Sequence, residues 1–317
     1  MLITLKEAAM KIKSANKILI TAHILPDGDA IGSTLAAMQM LQSMGKTAQI
    51  YIDDTVRKNL HALPHFEEIR RPKDGEKFDA DLMVILDTSL DRIGNVRKLT
   101  DAPILNIDHH VTNKGEGVDL YVETKAAATC EIIFKLAREL DVQITPEIAT
   151  CLYAGLATDT GFFQFSNTRA ETLAIASELI TCGVSPNFIS EELEKRSAAE
   201  IYGMRDALNS LKFFHGGKVA GMFLDLASMK KLKSTGGDST EGFIDLIRVI
   251  DSVDVAFLIS EKAPNVCRVS MRSKGVNVAQ IADKLGGGGH IRAAGCTLKT
   301  TLNEAEKILV AAIGEAL

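Results

Sequence analysis

Short runs of β-branched and aliphatic residues alternate with longer amphipathic stretches through the first part of the chain, up to about residue 180. Short apolar runs predict buried strands, and apolar positions three and four residues apart predict helices. The alternation favours an α/β fold, with a parallel sheet and helices on both of its faces. Strands are predicted at 17–22, 48–52, 82–87 and 104–108, and helices at 30–44, 129–140, 148–158 and 169–182.

The pattern changes where Gly183 and Pro186 interrupt the helices and a charged stretch follows at 190–205. This stretch predicts a linker helix between two domains. A smaller α/β pattern follows, with strands at 218–224, 255–260 and 266–271 and helices at 241–250, 278–285 and 303–317. We therefore expect an N-terminal domain at 1–188, a linker helix at 189–212 and a C-terminal domain at 213–317.

The composition is that of a globular chain. Of 317 residues, 46% are hydrophobic and 24% are charged, so a core can form without disulfides or a structural metal. The five cysteines are scattered and form no CxxC pair, which favours a reducing compartment. Four lysines interrupt the first 20 positions, and no apolar run approaches the roughly 18 residues of a membrane span. We expect a cytoplasmic protein with no membrane partner.

The charge balance limits the classes of ligand that the chain is expected to bind. The chain carries 36 lysines and arginines against 41 aspartates and glutamates, a formal charge of -5. Binding of long duplex nucleic acid depends on neutralising many phosphates, so this balance argues against it. The net charge does not exclude a small anion as a ligand, because a local cluster of metals or arginines attracts an anion despite the negative charge of the whole chain.

The first polar cluster, HILPDGDAIGS, occupies residues 23–33 between a predicted strand and a predicted helix. Its His23, Asp27 and Asp29 therefore follow the carboxyl end of a strand, where open α/β sheets place their ligand sites. Gly28 is expected to let the loop turn tightly, so that both carboxylates point into one space. The alternative for Asp29 is an ordinary helix N-cap.

Further acidic positions follow the same pattern. Asp87 ends the apolar run LMVIL, and a DHH triplet at 108–110 comes directly after PILNI. Three titratable residues in a row are costly to fold unless a ligand uses them, because adjacent side chains of an extended segment point opposite ways. Asp159 closes an apolar helix, where a cation would compensate its unfavourable place in the helix dipole. A turn or cap role stays open for Asp87.

Together these positions supply two imidazoles and four carboxylates. Hard carboxylate donors without a thiolate suit Mn²⁺ or Mg²⁺ better than a structural zinc. Two such ions can share one carboxylate, activate a water and stabilise both oxygens of an in-line phosphoryl displacement, so the set predicts a phosphoesterase. The six candidate ligands are His23, Asp27, Asp29, Asp87, His109 and Asp159.

A second constellation lies near the C-terminus. A run of four glycines precedes a histidine at 286–290, and consecutive glycine amides can converge on an anion. Two arginines alternate along the predicted strand at 266–271 and its end, which places two guanidiniums on one face for phosphate contacts. A flexible turn and a solvated strand face are the alternatives. The candidate substrate-binding residues are Arg268, Arg272, Gly287, Gly288, Gly289 and His290.

The order and spacing of these motifs resemble the DHH phosphoesterase family. SMRS followed by GGGGH and AAG resembles the first type of DHH-associated C-terminal domain, so the resemblance spans nearly the whole chain. It implies two manganese ions, with magnesium as the alternative. The implied ligands are His23, Asp27 and Asp87 for one ion, and Asp29, Asp87, His109 and Asp159 for the other.

The same resemblance implies roles for the rest of the triplet. His110 would contact the substrate phosphate or assist proton transfer, and Asp108 would orient the triplet from behind. No serine or cysteine lies among the ligands as a nucleophile, which predicts direct attack by water without a covalent intermediate.

Within the family, the motifs are similar to those of the NrnA-type oligoribonuclease and pAp phosphatase group. This similarity implies degradation of very short oligoribonucleotides to mononucleotides and dephosphorylation of 3',5'-adenosine bisphosphate (pAp) to AMP, in a cleft between the domains. The alternatives are a linear or cyclic dinucleotide phosphodiesterase and a non-catalytic nucleotide-binding protein with structural metals. A homodimer is a further open expectation.

Overall fold

Two six-stranded sheets organise the chain, one in each of two units, Met1–Lys195 and Arg196–Leu317. The computed structural model describes residues 1–115, 117–237 and 239–317. Each unit has its own hydrophobic core.

A parallel sheet forms the centre of the first unit. Its strands are β1 (Lys17–Thr21), β2 (Thr47–Tyr51), β3 (Ile69–Arg70), β4 (Leu82–Leu86), β5 (Ile104–Asp108) and β6 (Asp119–Val122). They lie in the order β3-β2-β1-β4-β5-β6, and every neighbouring pair is parallel. The strand order reverses between β1 and β4, which is where open α/β sheets form their ligand crevice.

Helices cover one face of this sheet. Alternate strand residues such as Ile18, Ile20 and Val84 pack into the helical layer. The prediction of a parallel α/β architecture is confirmed. The helices are α1 (Leu5–Ser14), α2 (Gly28–Ser43), α3 (Thr129–Leu140), α4 (Pro146–Asp159), α5 (Ala170–Thr181) and α6 (Pro186–Leu193).

The opposite face is built differently from the prediction of helices on both sides. Leu19 and Met83 pack there against Val96, which comes from the connection between β4 and β5. That connection forms two short 3-10 turns, Leu90–Arg92 and Gly94–Lys98, instead of an α-helix. Gly94, the first residue of the second turn, has φ 60°, so the first turn cannot continue through it as a right-handed helix.

No single helix in the described ranges is long and apolar enough to cross a bilayer. Taken together, α5 and α6 reach that length and composition, but they meet at a bend of 106°.

The segment predicted as one linker helix, 189–212, contains a break. α6 ends at Leu193, and a new helix, α7 (Ala198–Asn209), begins after Ser197. Ser197 and Glu200 form a capping box, which satisfies the first amides of α7 and fixes a new helix start. α6 belongs to the first unit and α7 to the second.

A mixed sheet forms the centre of the second unit. Its strands are β7 (Lys212–Phe214), β8 (Val219–Leu224), β9 (Val255–Ala263), β10 (Val266–Ser273), β11 (Gly288–His290) and β12 (Ala293–Leu298). They lie in the order β11-β12-β10-β9-β8-β7, and β8 and β9 are the parallel pair. The remaining helices are α8 (Leu226–Ser234), α9 (Asp245–Arg248), α10 (Val278–Lys284) and α11 (Leu302–Gly314).

Candidate metal centre and phosphate-binding face

Three neighbouring strands of the first sheet carry polar residues at their carboxyl ends. His23 lies two residues after β1, Asp87 directly follows β4, and the DHH triplet begins on the last residue of β5. Because β1, β4 and β5 are adjacent, these side chains meet at one edge of the sheet. His23, Asp87 and His109 are 6%, 2% and 3% exposed, so the titratable groups are buried together.

Asp87 stands between two histidines. Its Oδ2 is 3.5 Å from Nε2 of His23, and its Oδ1 is 3.3 Å from Nε2 of His109. The backbone of Asp87 is left-handed, at φ 61°, a conformation that costs about 1–3 kcal/mol in a residue other than glycine. Its N–H donates to the carbonyl of Ile107 at 3.1 Å, which helps hold this turn. The carboxylate is therefore fixed with one oxygen toward each histidine.

The six predicted ligands form two groups of three. Within each group the ligand atoms lie within 4.8 Å of one another. In the second group, Nε2 of His109 is 3.2 Å from Asp159 Oδ2 and 3.9 Å from Asp29 Oδ2. Buried carboxylates need nearby positive charge, and imidazole with carboxylate is a donor set for divalent cations, so the residues fit two such ions. The groups are His23, Asp27 and Asp87, and Asp29, His109 and Asp159.

Asp27 and Asp29, at the start of α2, make different contacts. Asp27, not Asp29, is the N-cap: its Oδ1 accepts from the amides of Asp29 at 3.1 Å and Ala30 at 3.0 Å. Its Oδ2 lies 3.8 Å from Nε2 of His23, so capping leaves one oxygen for a ligand. Asp29 sits in the first turn, fully buried, and its Oδ2 and Oδ1 accept from the amides of Thr129 at 2.6 Å and Cys130 at 2.9 Å.

The role expected for Gly28 is corrected by the structure. Gly28 is the first residue of α2 and has no left-handed backbone. A Cβ there would lie 2.4 Å from Oγ1 of Thr158 on α4. A Cβ at Gly155 would likewise lie 2.3 Å from Sγ of Cys130. The glycines therefore allow α2, α3 and α4 to pack closely around Asp29, rather than allowing a tight turn.

Each imidazole of the triplet and of His23 has a fixed orientation. Nδ1 of His23 donates to the Ile24 carbonyl at 2.8 Å, and Nδ1 of His109 donates to the Ala126 carbonyl at 3.2 Å. These bonds fix the tautomers that present Nε2 to the carboxylates. His110 differs, because its Nδ1 donates to Oδ1 of Asp108 at 2.7 Å. His110 therefore belongs to an Asp-His pair beside the two ligand groups.

The histidine pKa values show strong coupling within the centre. Burial lowers the pKa of His23, but its interaction with Asp87 and the charge of Asp27 outweigh burial and raise the pKa to about 9. Burial also opposes protonation of His109, yet Asp87 and Asp159 raise its pKa well above the usual range. Both shifts favour the protonated form of the ring, with which a bound cation would compete.

The carboxyl groups divide into two kinds. Burial and the charge of Asp87 raise the pKa of Asp29 to about 7, and burial together with the charge of Asp29 raises the pKa of Asp159 well above its usual range. Burial alone would raise the pKa of Asp87 too, but hydrogen bonds from His109 and His23 hold it well below the ordinary value. These shifts thus favour the ionised form of Asp87 and the protonated forms of Asp29 and Asp159.

The second sheet carries the two predicted arginines on one face. Val269 and Met271 of β10 point into the core formed with α10 and α11, so Arg268 and Arg272 point the opposite way. On that face, helices cover β8 and β9, whereas neither arginine is buried. Arg272 lines a cavity of about 260 Å³, together with the cationic side chains of Arg248 and Lys274 among others.

Part of the glycine run forms a strand rather than a flexible turn. Residues 288–290 form β11, which pairs antiparallel with β12. A Cβ at Gly287 would lie 2.1 Å from the carbonyl of Gly295, and a Cβ at Gly289, at φ 137°, would lie 2.6 Å from the carbonyl of Ala293. Close strand approach thus explains these two glycines. Gly288 faces open space, where a ligand could reach its backbone.

The sequence interpretation missed the backbone donors and the Asn167 amide that support the centre. Thr129 and Cys130 act through their N–H groups, which leave no signature in a sequence. Asn113 donates to Oδ2 of Asp108 at 2.6 Å, and Asn167 donates to the carbonyl of Asp159 at 3.0 Å. The position of Asn113, three residues after the triplet, indicates this bracing role from the sequence alone.

Comparison with known proteins agrees with this architecture. Residues 17–156 match the model of the DHH family, N-terminal domain, and residues 227–317 match the DHHA1 domain. The chain is 35% identical over 302 residues to the bifunctional oligoribonuclease and PAP phosphatase NrnA of Thermus thermophilus, covering 95% of this chain and 90% of that protein. The resemblance inferred from the motifs is therefore confirmed.

Two further similarities extend over most of the chain. The crystal structure of an exopolyphosphatase-related protein from Bacteroides fragilis is similar with a TM-score of 0.86 and 26% identity, over 98% of this chain and 95% of that one. The cyclic-di-AMP phosphodiesterase PdeA of Listeria monocytogenes is 26% identical over 95% of this chain and 48% of its own length. With both units matched and the strand-end motifs assembled at one edge of a parallel sheet, the chain belongs to the DHH family.

Proposed function

We propose that this chain is a metal-dependent phosphohydrolase that degrades very short oligoribonucleotides to mononucleotides and dephosphorylates pAp to AMP. The observation that carries the proposal is the position of Asp87, with one carboxylate oxygen toward each of two ligand groups. Two divalent ions that share a carboxylate suit in-line displacement at phosphorus. The Thermus thermophilus relative, whose name gives both activities, supports the choice of substrates.

In this proposal the centre holds two divalent cations, with Mn²⁺ as the first choice and Mg²⁺ as the alternative. When bound, the cations supply Lewis acidity that activates water and stabilises charge on the phosphoryl oxygens. Borderline cations accept both imidazole and carboxylate, which is the donor set present. The ligands are His23, Asp27 and Asp87 for one ion, and Asp29, Asp87, His109 and Asp159 for the other.

His110 and Asp108 act beside the cations. The carboxylate of Asp108 accepts from Nδ1 of His110 and from Asn113, and His110 holds the pKa of Asp108 below its usual value although burial raises it. The pair fixes the ring and its tautomer, so that Nε2 is the atom that contacts a substrate phosphate or transfers a proton. Asp108 is then a positioning residue and His110 a catalytic one.

The second unit grips the substrate in this proposal. Arg268 and Arg272 lie on one face of β10, and a guanidinium can donate two parallel hydrogen bonds to the oxygens of one phosphate. His290 and the open backbone position of Gly288 add donors on β11. We assign hydrolysis to residues 1–188, the connection between the domains to 189–212 and substrate binding to 213–317. Gly287 and Gly289 contribute through the strand geometry that they allow.

The partners follow from the charge and the substrate size. A formal charge of -5 disfavours long duplex nucleic acid, because such binding needs many phosphate contacts. A short strand needs only a few cations, which two metals and two arginines supply. The homodimer and the cytoplasmic location, the latter supported by five free cysteines, remain parts of this proposal.

The test is hydrolysis by the purified chain in Mn²⁺. The substrates are 5'-phosphorylated RNA dimers to pentamers, pAp, a cyclic dinucleotide and pyrophosphate, with Asp87→Asn as the inactive control. We expect mononucleotides from the RNAs and AMP from pAp, both lost in the control. Repeating the assay in Mg²⁺ ranks the two cations.

One alternative function has a specific observation in its favour. The similarity to a cyclic-di-AMP phosphodiesterase favours a dinucleotide phosphodiesterase with the same metals. Hydrolysis of the cyclic dinucleotide alone would establish that alternative and overturn our substrate assignment. A wild-type chain that hydrolyses nothing but binds the nucleotides would indicate a non-catalytic binding protein.

A further inference from the structure

One short stretch of chain, residues 126–131, directly contacts three of the six candidate ligand residues, and we call it the brace segment. It comprises the loop before α3 and the first turn of α3. The carbonyl of Ala126 accepts from Nδ1 of His109 at 3.2 Å, and Oγ1 of Thr129 donates to Oδ1 of Asp87 at 3.1 Å. The brace segment therefore contacts ligands that come from two different strand ends.

The brace segment also receives Asp29. The N-cap of α3 is Ala128, which has no capping side chain, so the first amides of α3 need an acceptor from elsewhere. The carboxylate of Asp29 supplies it by accepting from the amides of Thr129 and Cys130. A shift of α3 would thus move Asp29, because a buried carboxylate follows its donors.

The remaining ligand of the second group is tied to the brace segment through Asn167. The side-chain amide of Asn167 donates to the carbonyl of Ala127 at 3.1 Å and to the carbonyl of Asp159 at 3.0 Å. The brace segment is therefore linked to all three members of that group and to Asp87.

Glu131 holds the brace segment in place from the inside. Its side chain is fully buried, and Oε2 accepts from the amide of Ala127 at 3.2 Å and from Oγ1 of Thr172 at 2.8 Å. Oε1 accepts from Arg169 and Lys135, which balance the charge. Glu131 joins the loop half of the brace segment to its helical half, and both halves to α5.

We propose that Glu131 is a positioning residue of the metal centre, which sets the affinity for divalent cations by holding the brace segment against Asp29, Asp87 and His109. It touches none of the three carboxylate or imidazole groups itself. The inference rests on the proposed function only in requiring that the centre binds cations.

A buried glutamine cannot replace Glu131. Oε2 accepts from one N–H and one O–H, and Oε1 accepts from two cations, so all four neighbours donate. In Glu131→Gln, the NH₂ group must face donors on one side or the other, whichever way the amide is turned. The brace segment loses an anchor while the volume of the side chain is kept.

The test compares Glu131→Gln with Glu171→Gln in the full chain. Glu171 is a matched control because it pairs with the same Lys135 and Arg169, is half-exposed, and shows no contact with the brace segment among the interactions of the described residues. The readout is the Mn²⁺ dissociation constant, measured by electron paramagnetic resonance of free Mn²⁺. We expect Glu131→Gln to weaken binding about 10-fold to 100-fold, the usual effect of losing a residue that orients metal ligands.

Glu171→Gln should change the Mn²⁺ dissociation constant by less than about twofold, because partly exposed ion pairs contribute little. Kinetics with pAp add a second readout: saturating Mn²⁺ should restore much of kcat in Glu131→Gln, while KM stays at the wild-type value. Equal Mn²⁺ affinities for the two variants would overturn the inference.

A second pair of variants covers the case in which Glu131→Gln does not fold. Thr172 is fully buried, and its hydroxyl donates to Glu131. Thr172→Val removes that bond and should weaken Mn²⁺ binding, and Thr172→Ser, which keeps the hydroxyl, should restore it. Equal affinities in this pair would also overturn the inference. A wild-type chain that binds Mn²⁺ but hydrolyses no substrate would overturn the proposed function alone, since the affinity comparison needs no turnover.

Discussion

At the scale of single residues, Asp87 lies between the two candidate ligand groups. Its two oxygens face different histidines, and its backbone conformation is held by the neighbouring strand. Asp27, by contrast, belongs to a single ligand group, with His23 and Asp87. The two aspartates should therefore differ in how many cations they control.

We predict that Asp87→Asn reduces tightly bound Mn²⁺ from two ions to none, whereas Asp27→Asn loses one ion. An amide offers a single neutral acceptor oxygen in place of two charged ones, so it cannot serve both groups. Equilibrium dialysis with metal analysis measures the stoichiometry. Asp91→Asn, an exposed position in the same connection, is the control and should bind two ions. Two ions in Asp87→Asn would contradict the shared role.

The pKa values predict that Mn²⁺ affinity rises with pH. His23, with a pKa of about 9, and Asp29, with a pKa of about 7, hold protons that a cation must displace. Low pH favours the protonated groups and opposes binding, and this competition weakens as the pH rises through the pKa values of these groups. Titration calorimetry in two buffers of different ionisation enthalpy counts the released protons. Binding without proton release at pH 7 would contradict these pKa directions.

The candidate ligands could be predicted from the sequence because each follows an apolar run that clearly predicts a strand or a helix. The division of labour between Asp27 and Asp29 could not, since either aspartate can cap a helix and the choice depends on where the first turn forms. Glu131 left a signal that was not used: a charged residue within the apolar face of α3.

At the scale of elements, close packing of helices positions the centre. Gly32 lies so near α4 that a Cβ would be 2.4 Å from the carbonyl of Cys151, and Gly155 faces Cys130 and Asp29 in the same way. Backbone cannot yield as a flexible side chain can, so α2, α3 and α4 form one rigid support.

We predict that Gly155→Ala weakens Mn²⁺ binding and destabilises the fold. The added Cβ would lie 2.7 Å from Oδ1 of Asp29 and must displace it. Overpacking of this kind costs about 1–3 kcal/mol. Thermal unfolding and a Mn²⁺ titration measure the two effects. Gly275→Ala, which adds a Cβ in open space without a left-handed backbone, is the control. An unchanged Mn²⁺ affinity in Gly155→Ala would contradict this account.

The central strands of the first sheet, β1, β4 and β5, were predicted within one residue because they are nearly continuous apolar runs, buried on both faces. Two edge strands were not predicted. β3 has only two residues and β11 is nearly all glycine, so neither carries a hydrophobic pattern. α1 was missed although Thr4 and Glu7 form a capping box that the sequence displays. The predicted helix at 241–250 shortens to α9, after Gly242 at φ 75°.

At the scale of the whole molecule, the two units carry different chemistry. The first holds the buried carboxylates and imidazoles, and the second presents guanidiniums on a sheet face. Variants in each unit should therefore change different kinetic parameters.

We predict that Arg272→Ala and His290→Ala raise KM for pAp and leave Mn²⁺ bound, because the proposed function assigns both side chains to substrate binding. Asp29→Asn and His109→Ala should instead abolish turnover by disturbing the cations. Steady-state kinetics together with metal analysis distinguish the two patterns. Loss of Mn²⁺ in the C-terminal variants would contradict this separation.

The six ligand candidates are spread over the chain from residue 23 to residue 159, on segments that follow β1, β4 and β5 or belong to α2 and α4. They can meet only once most of the first sheet has assembled, since contacts between distant parts of a chain form slowly and late. We therefore expect divalent cations to bind after most of this unit has folded, rather than to nucleate its folding. They would then link segments that the chain has already brought to one place.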